Sequence, residues 1–391
     1  MINLAIYIEF NESFTGGPRV AYNLVRVLDR QRFNPVVLTN RNSEMTDAMR
    51  ALGIEPVVLE QPKRIGDDDG ASLQGGLIRK SLTALDIWRY NRRVAKVLRK
   101  NGVRCLWVRN IKGVLLTALA ARWCKTPLVW DIGMEKPSRG MVRKLHNFGF
   151  KTAARVVTEG SFVAPSIFDE TQLSRFGSKI VVNTPALSND RVNLVRRDAM
   201  TPLNEGERFT VLNVASVNDR KNQMMLVRSI RELKDRFPRL HVRIAGPVAD
   251  EAYGLRLHDY IRDNALQDHV ELLGWRTDIP ELLHTSHMFT LSSRVEGIPQ
   301  SILEAMYARV PVVATAAGGV PDIVRNHETG WLVAIDDQSA YTDALADCLA
   351  NANKRLAYSE EAYRLASETV TAEQWSGRYV VMFEELIAGK R

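Results

Sequence analysis

The chain has 391 residues, 45% hydrophobic and 25% charged, with a formal net charge of +8. That length exceeds one ordinary domain, and the composition excludes a disordered, collagen-like or disulfide-stapled chain. Cys105, Cys124 and Cys348 are odd in number and far apart, with no Cys-x-x-Cys spacing, so a reducing compartment is expected.

In chain order, residues 2–8 read as a strand; without a basic n-region or a cleavage site they are no secretory leader. Thr15-Gly16-Gly17-Pro18-Arg19 then opens a helix over 19–28. Bare glycines let a backbone approach a phosphate or sugar closely, although a plain strand-to-helix turn has the same composition. Strands follow at 34–39 and 56–59, then the acidic run Asp67-Asp68-Asp69 between two glycines. Ile87, Trp88, Val94, Val97 and Leu98 next recur at helical spacing among Arg89, Arg92, Arg93, Lys96, Arg99 and Lys100. The pattern fits a surface helix with one face in the core. It also fits a helix lying on an anionic leaflet, where each basic residue is worth about 1 kcal/mol. The longest apolar stretch, near 113–124, contains Arg122 and falls short of the roughly 20 residues of a membrane span.

Further strands read at 105–109, 128–131, 155–158 and 179–183. Turn chemistry (Pro185, Ser188-Asn189-Asp190, Pro202, Gly206) fills 184–206. The second half gives strands at 209–215, 241–245, 270–273, 288–292, 312–315 and 330–333, with helices such as 226–235 and 302–307. Strand–helix alternation implies parallel sheets, and thirteen strands exceed the roughly eight of a single barrel. The expectation is an α/β chain with two doubly wound domains, 1–190 and 191–372. A closing helix over 373–391 carries Trp375, Tyr379, Met382, Phe383 and Leu386 on one stripe and is expected to pack back on the first domain.

The strand ending near Ser292 runs into Ser293-Arg294-Val295-Glu296-Gly297-Ile298-Pro299-Gln300-Ser301 and then a helix containing Glu304. Ligands bind at the carboxyl ends of strands in such sheets, and the following helix start suits a diphosphate. Pro299 fits there because a first-turn N–H has no intrahelical partner. Glu296 and Glu304 would accept hydrogen bonds from sugar and ribose hydroxyls; the plain alternative is one Glu capping the helix and one on its surface. The next strand runs into Gly318-Gly319-Val320-Pro321-Asp322, a second bare turn beside the first.

These segments, with Thr329-Gly330-Trp331-Leu332-Val333, resemble the nucleotide-sugar half of family-4 retaining glycosyltransferases of the GT-B fold. The resemblance runs along nearly the whole chain and is sharp over 211–333. It implies two Rossmann-like domains facing across a cleft, the donor in the second and the acceptor in the first. It implies Glu296 on the donor sugar, Glu304 on the ribose, and Gly297, Ile298, Pro299, Ser301, Gly318 and Gly319 against sugar and phosphates. Lys221 takes the diphosphate-binding lysine position, while Ser216 stands where many members have an arginine, so that either the adjacent Arg220 completes the clamp or the clamp is weaker. Gly246, Trp275 and Arg276 lie on the turns that would hold the base, with Trp275 equally readable as core.

Gly16, Gly17 and Arg19 correspond to the family's cleft loop. Asp131 lies at or beside the family's usual histidine and is the candidate to orient an acceptor hydroxyl, with His146 the alternative stand-in. Ser161 sits at a serine position of the family, where a hydroxyl commonly caps a helix. The Asp67-Asp68-Asp69 run is not taken as a metal site, since the resembled fold needs none; no metal and no cofactor are expected.

The implied reaction moves a hexose-type sugar from a UDP- or GDP-linked donor to a saccharide or lipid-linked acceptor in cell-surface polysaccharide synthesis. The implied place is the cytoplasm, with peripheral contact at the inner face of the membrane and no nucleic acid partner. Two other readings remain: a nucleotide-sugar epimerase or phosphorylase on the same fold, and a basic binding protein with a degenerate site.

Overall fold

The computed structural model describes residues 1–9, 17–62, 64–65, 77–133 and 137–389. Thr15 and Gly16 of the glycine loop, the Asp67-Asp68-Asp69 run and the Met134-Glu135 pair lie outside them. The chain forms two compact units, Met1–Asn183 with Trp375–Arg391, and Thr184–Gln374.

The first unit is built on β1 (Ile2–Ile8), β2 (Phe33–Thr39), β3 (Val57–Val58), β4 (Cys105–Arg109), β5 (Leu128–Ile132), β6 (Arg155–Thr158) and β7 (Ile180–Val182). They pair in the order β3-β2-β1-β4-β5-β6-β7, every pairing parallel. A strand covered on both faces must be apolar throughout, as Leu4 to Ile8 and Cys105 to Val108 are, all of them buried. Trp130, Phe150 and Phe168 form the aromatic heart, with Phe150 and Phe168 ring centres 4.6 Å apart. Gly149 makes room for it: a Cβ there would come within 2.7 Å of the Trp130 ring. The His146 ring lies 5.2 Å from Phe168 and is fully buried, so this histidine belongs to the core rather than to a ligand site.

The last helix, Ala372–Ile387, buries the stripe of Trp375, Tyr379, Met382, Phe383 and Leu386. From Trp375 on it is part of the first unit: Phe383 meets Phe33 edge-on, Glu384 pairs with Arg32, and the Asn183 side chain donates to the Trp375 carbonyl. In the helix Leu77–Lys100 the buried face is Tyr90, Val94, Ala95 and Leu98. Trp88, placed with the inward apolar residues by sequence spacing, is exposed instead, with the Arg92 guanidinium 4.8 Å over its ring.

The second unit is built on β8 (Phe209–Val214), β9 (Leu240–Ala245), β10 (Val270–Gly274), β11 (Met288–Leu291), β12 (Val312–Thr315) and β13 (Trp331–Val333). Their order is β10-β9-β8-β11-β12-β13, again parallel throughout. The order reverses between β8 and β11, so the loops leaving these two strands flank the switch point, where such sheets bind ligands. No helix among the described residues is long and apolar enough to cross a membrane.

Candidate functional site

The loop after β8 and the loop after β11 are sewn together. The Arg294 amide donates to the Arg220 carbonyl at 2.8 Å, and the Ser292 hydroxyl donates to the Asn222 carbonyl at 2.9 Å. Asn222 adopts a left-handed φ of 50° just before the helix Gln223–Leu233, and its side chain bonds Asp336. The Arg294 side chain spans Asp219 and Asp336, 2.8 Å from each. This brace escaped sequence reading, because nothing local to residue 294 announces partners 75 and 42 residues away.

The frame holds the central contact of the unit. Lys221 Nζ donates to both carboxylate oxygens of Glu296, at 2.6 and 2.7 Å, and Ser293 Oγ donates to one of them at 2.6 Å. The Lys221 and Glu296 side chains are only 15% and 6% exposed, where a charge-assisted bidentate contact is stronger than on an open surface. Sequence reading named both residues as donor contacts; the structure bonds them directly to each other.

The loop after β12 closes against the same carboxylate-bearing segment. The Gly319 amide donates to the Gly297 carbonyl at 3.0 Å, and Thr315 Oγ1 donates to the Ser293 carbonyl. Gly318 has a φ of +54°, and a Cβ on it would lie 1.9 Å from the Glu296 carbonyl oxygen. Only glycine fits, which is the physical content of the Gly-Gly signature. Gly246, at φ +154°, is equally constrained: its Cβ would meet the Ala215 carbonyl oxygen at 2.1 Å. Its amide donates to the Gly274 carbonyl, so the turns after β8, β9 and β10 are stacked backbone to backbone.

Pro299 caps the helix Gln300–Tyr307 from just outside it, with Ile298 and Pro299 buried and Ser301 half-buried. Glu304, on that helix, is paired with Arg191 of the helix Asn189–Val195 at 2.6 Å. Arg191 was not foreseen, because it comes from the turn-rich segment read only as a linker. Ser216 accepts from the Asn218 side chain, and its carbonyl accepts from Gln223, so it orders the loop carrying Lys221. The Arg220 side chain is exposed. Trp275 is 73% exposed, which corrects the reading of it as core, and Arg276 pairs with Asp278.

In the first unit a second charged set stands at the carboxyl ends of three adjacent strands. Arg109 ends β4 and reaches both Asp131 of β5 and Glu159 just beyond β6, while the Tyr379 hydroxyl donates to the other oxygen of Asp131. Asp131 is 2% exposed, and a Cβ on Gly133 would lie 2.8 Å from the Arg109 guanidinium. Burial, then the adjoining Asp131 carboxylate, pushes the Tyr379 hydroxyl well above its ordinary pKa. Asp131, the expected partner of an acceptor hydroxyl, has a strong donor on each oxygen in this structure, and the group is sealed from solvent. Arg109, Glu159 and Tyr379 were missed, although an arginine closing a strand was a usable signal. Arg19 is exposed on the helix Gly17–Val27, and Ser161 is exposed after β6. Among the described residues no cluster of three or more His, Cys, Asp or Glu could hold a metal ion.

Residues 196–365 match the family described as glycosyl transferases group 1. The chain is 33% identical over 133 residues to the putative glycosyltransferase EpsD of Bacillus subtilis, covering 34% of each chain. It is 30% identical over 170 residues to the amylovoran biosynthesis glycosyltransferase AmsK of Erwinia amylovora, covering 41% of this chain and 40% of that one. The matches thus span only about a third to two fifths of these relatives' length. In solved structures, a glycosyltransferase from Rickettsia africae superposes with a TM-score of 0.76 at 15% identity, covering 100% of this chain and 99% of that one. Anabaena Alr3699/HepE in complex with UDP gives 0.73 at 16% identity, covering 98% and 100%. At such identities the likeness establishes the fold, and the fold is GT-B.

Proposed function

We propose that this chain, whose residues 196–365 match the group 1 glycosyl transferases, is a metal-independent, retaining hexosyltransferase. Its donor is a UDP- or GDP-linked sugar, its acceptor a saccharide or lipid-linked saccharide, and its setting cell-surface polysaccharide synthesis. The observation that carries the reading is the Lys221–Glu296 contact at the switch point of the second sheet, framed by Gly297 and the Gly318-Gly319 turn.

On this reading an incoming diphosphate draws Lys221 away from Glu296. The lysine then neutralises the leaving phosphates, with Arg220 beside it, while backbone amides of the loops after β11 and β12 supply further donors. The released Glu296 carboxylate accepts hydroxyls of the transferred sugar and holds the reacting geometry. Glu304, set at its angle by Arg191, accepts from the ribose. The stacked turns at Gly246 and Gly274–Arg276 take the base. Named functions of relatives agree: AmsK acts in amylovoran biosynthesis, and a galactosyltransferase of Escherichia coli, 36% identical over 88 residues, uses UDP-Gal and a diphosphoundecaprenol-linked acceptor. The helix Leu77–Lys100 supports work beside a membrane, since Leu82, Leu85 and Trp88 are exposed next to Arg89, Arg92, Lys96 and Arg99.

A thermal-shift panel of UDP, GDP, their common sugar conjugates and EDTA tests the proposal. A ligand at about 100 times its Kd should stabilise the protein by roughly 2.7 kcal/mol, and Glu304→Ala should lose part of that shift. EDTA should change neither melting nor turnover. A panel in which no nucleotide stabilises the wild type defeats the reading.

A further inference from the structure

The amino edge of the first sheet carries a cavity of about 1100 Å³ that none of the donor-motif residues touches. It is lined where β5, β6 and β7 begin, opposite the strand ends that hold Arg109 and Asp131. Its lining includes Arg122, Lys125, Lys151, Arg155 and Lys179, and no aspartate or glutamate.

Five cations in one cavity need a reason. Part of it is local: the helices Asn110–Trp123, Gly140–Thr152 and Ala372–Ile387 all end here, and cations suit helix C-termini. Lys179 is used this way, donating to the Phe150 and Ala153 carbonyls at 2.7 and 2.8 Å. The magnitudes do not balance, however. Three helix ends supply together about 1.5 negative charges, so five full cations leave an excess of about 3.5. No ion pair among the described residues involves any of the five. Burial, then the neighbouring Arg155, pulls the Lys179 pKa down.

An acceptor-rich anion answers these cations, while Phe148 and Leu386 give the cavity an apolar wall for an organic part.

We propose that this cavity binds a phosphate-bearing ligand at a site separate from the donor site, the phosphate held by Arg122, Lys125 and Lys151. The phosphate belongs either to a soluble phosphorylated molecule or to a lipid headgroup. Full-length protein carrying Lys221→Ala, which removes the donor-site lysine, is compared with and without Arg122→Gln/Lys151→Gln. Equilibrium dialysis with inorganic pyrophosphate forms one arm. Co-sedimentation with phosphatidylglycerol vesicles, against phosphatidylcholine vesicles, forms the other. The double charge removal lies on exposed residues and should leave melting unchanged while weakening binding about tenfold or more. Loss in the dialysis arm assigns a soluble phosphate, and loss confined to phosphatidylglycerol vesicles assigns a headgroup. Binding that is absent from both arms, or indifferent to the two substitutions, overturns the proposal.

Discussion

The Lys221 ammonium sits 2.6 and 2.7 Å from the two carboxylate oxygens of Glu296, although the residues are 75 apart in sequence and leave different strands. Each is therefore held ready by the other, and each should matter for a different step. Replacing Glu296 by Gln keeps the shape and removes the charge that steadies the transferred sugar. Transfer should fall by about a hundredfold or more, while UDP or GDP affinity changes less than about threefold. Replacing Lys221 by Ala should weaken nucleotide diphosphate binding by about tenfold or more, because a charge-assisted contact to phosphate is lost. Kinetics with calorimetry separate the two effects; turnover of Glu296→Gln at the wild-type rate would remove Glu296 from the chemistry.

The same loops make a stability prediction. A Cβ at Gly318 collides with the Glu296 carbonyl, at a left-handed φ where any other side chain is strained. Gly318→Ala should cost about 1–3 kcal/mol, lowering the melting temperature of the second unit by roughly 2–12 °C. Transfer should fall with it, because the segment displaced is the one carrying Glu296. Calorimetry that shows no shift would mean that the loop gives way freely.

The reach of the sequence follows from what each residue needed. Thirteen strands were legible because doubly covered parallel strands are apolar from end to end and separated by helical periodicity. Glycine turns were legible because a positive φ or a backbone contact selects one residue type. Partnerships were not: Arg294 with Asp219 and Asp336, Arg191 with Glu304, and Arg109 with Asp131, Glu159 and Tyr379 join distant segments whose meeting only the fold decides. Trp88 shows the limit of periodicity as well, since a tryptophan at core spacing on a helix edge can turn outward under a stacked arginine.

Acid sensitivity should arise at His287. Its Nδ1 accepts from the Thr210 amide at 3.0 Å and its Nε2 faces the Pro202 carbonyl at 3.2 Å, an arrangement that only the neutral ring satisfies. Burial, with smaller opposing effects of Pro202 and Glu207, lowers its pKa. A folded pKa below the unfolded one means that the unfolded chain takes up the proton first as pH falls. Stability from this group is thus complete above about pH 6.5 and declines below it, by up to about 1.4 kcal/mol per pH unit. Denaturant titrations between pH 5 and 7 should show that slope, reduced in His287→Gln; an equal slope in both proteins would place the sensitivity elsewhere.

The Arg109–Asp131–Tyr379 centre gives the sharpest contrast between a structural and a catalytic assignment. Removing one partner of a buried pair costs about 3–5 kcal/mol where the other charge is left uncompensated, and without Asp131 the buried Arg109 keeps only the more exposed Glu159. Asp131→Ala should therefore destabilise the first unit strongly, and Tyr379→Phe by about 1–3 kcal/mol, since it strips one donor from a buried carboxylate. The double change Arg109→Met/Asp131→Leu removes the fully buried pair, leaves Glu159 (27% exposed) to solvent, and should recover part of the loss, because well-packed apolar groups replace buried ion pairs at little net cost. Nucleotide affinity should be unchanged in all three, since the donor motifs lie in the second unit. Melting curves decide between the assignments when set beside turnover measured well below each transition. If Asp131→Ala melted like the wild type and lost transfer entirely, Asp131 would act on the acceptor after all. If stability falls and the apolar double variant restores part of it, the aspartate is there to hold Arg109 and Tyr379 in place beneath the strand ends.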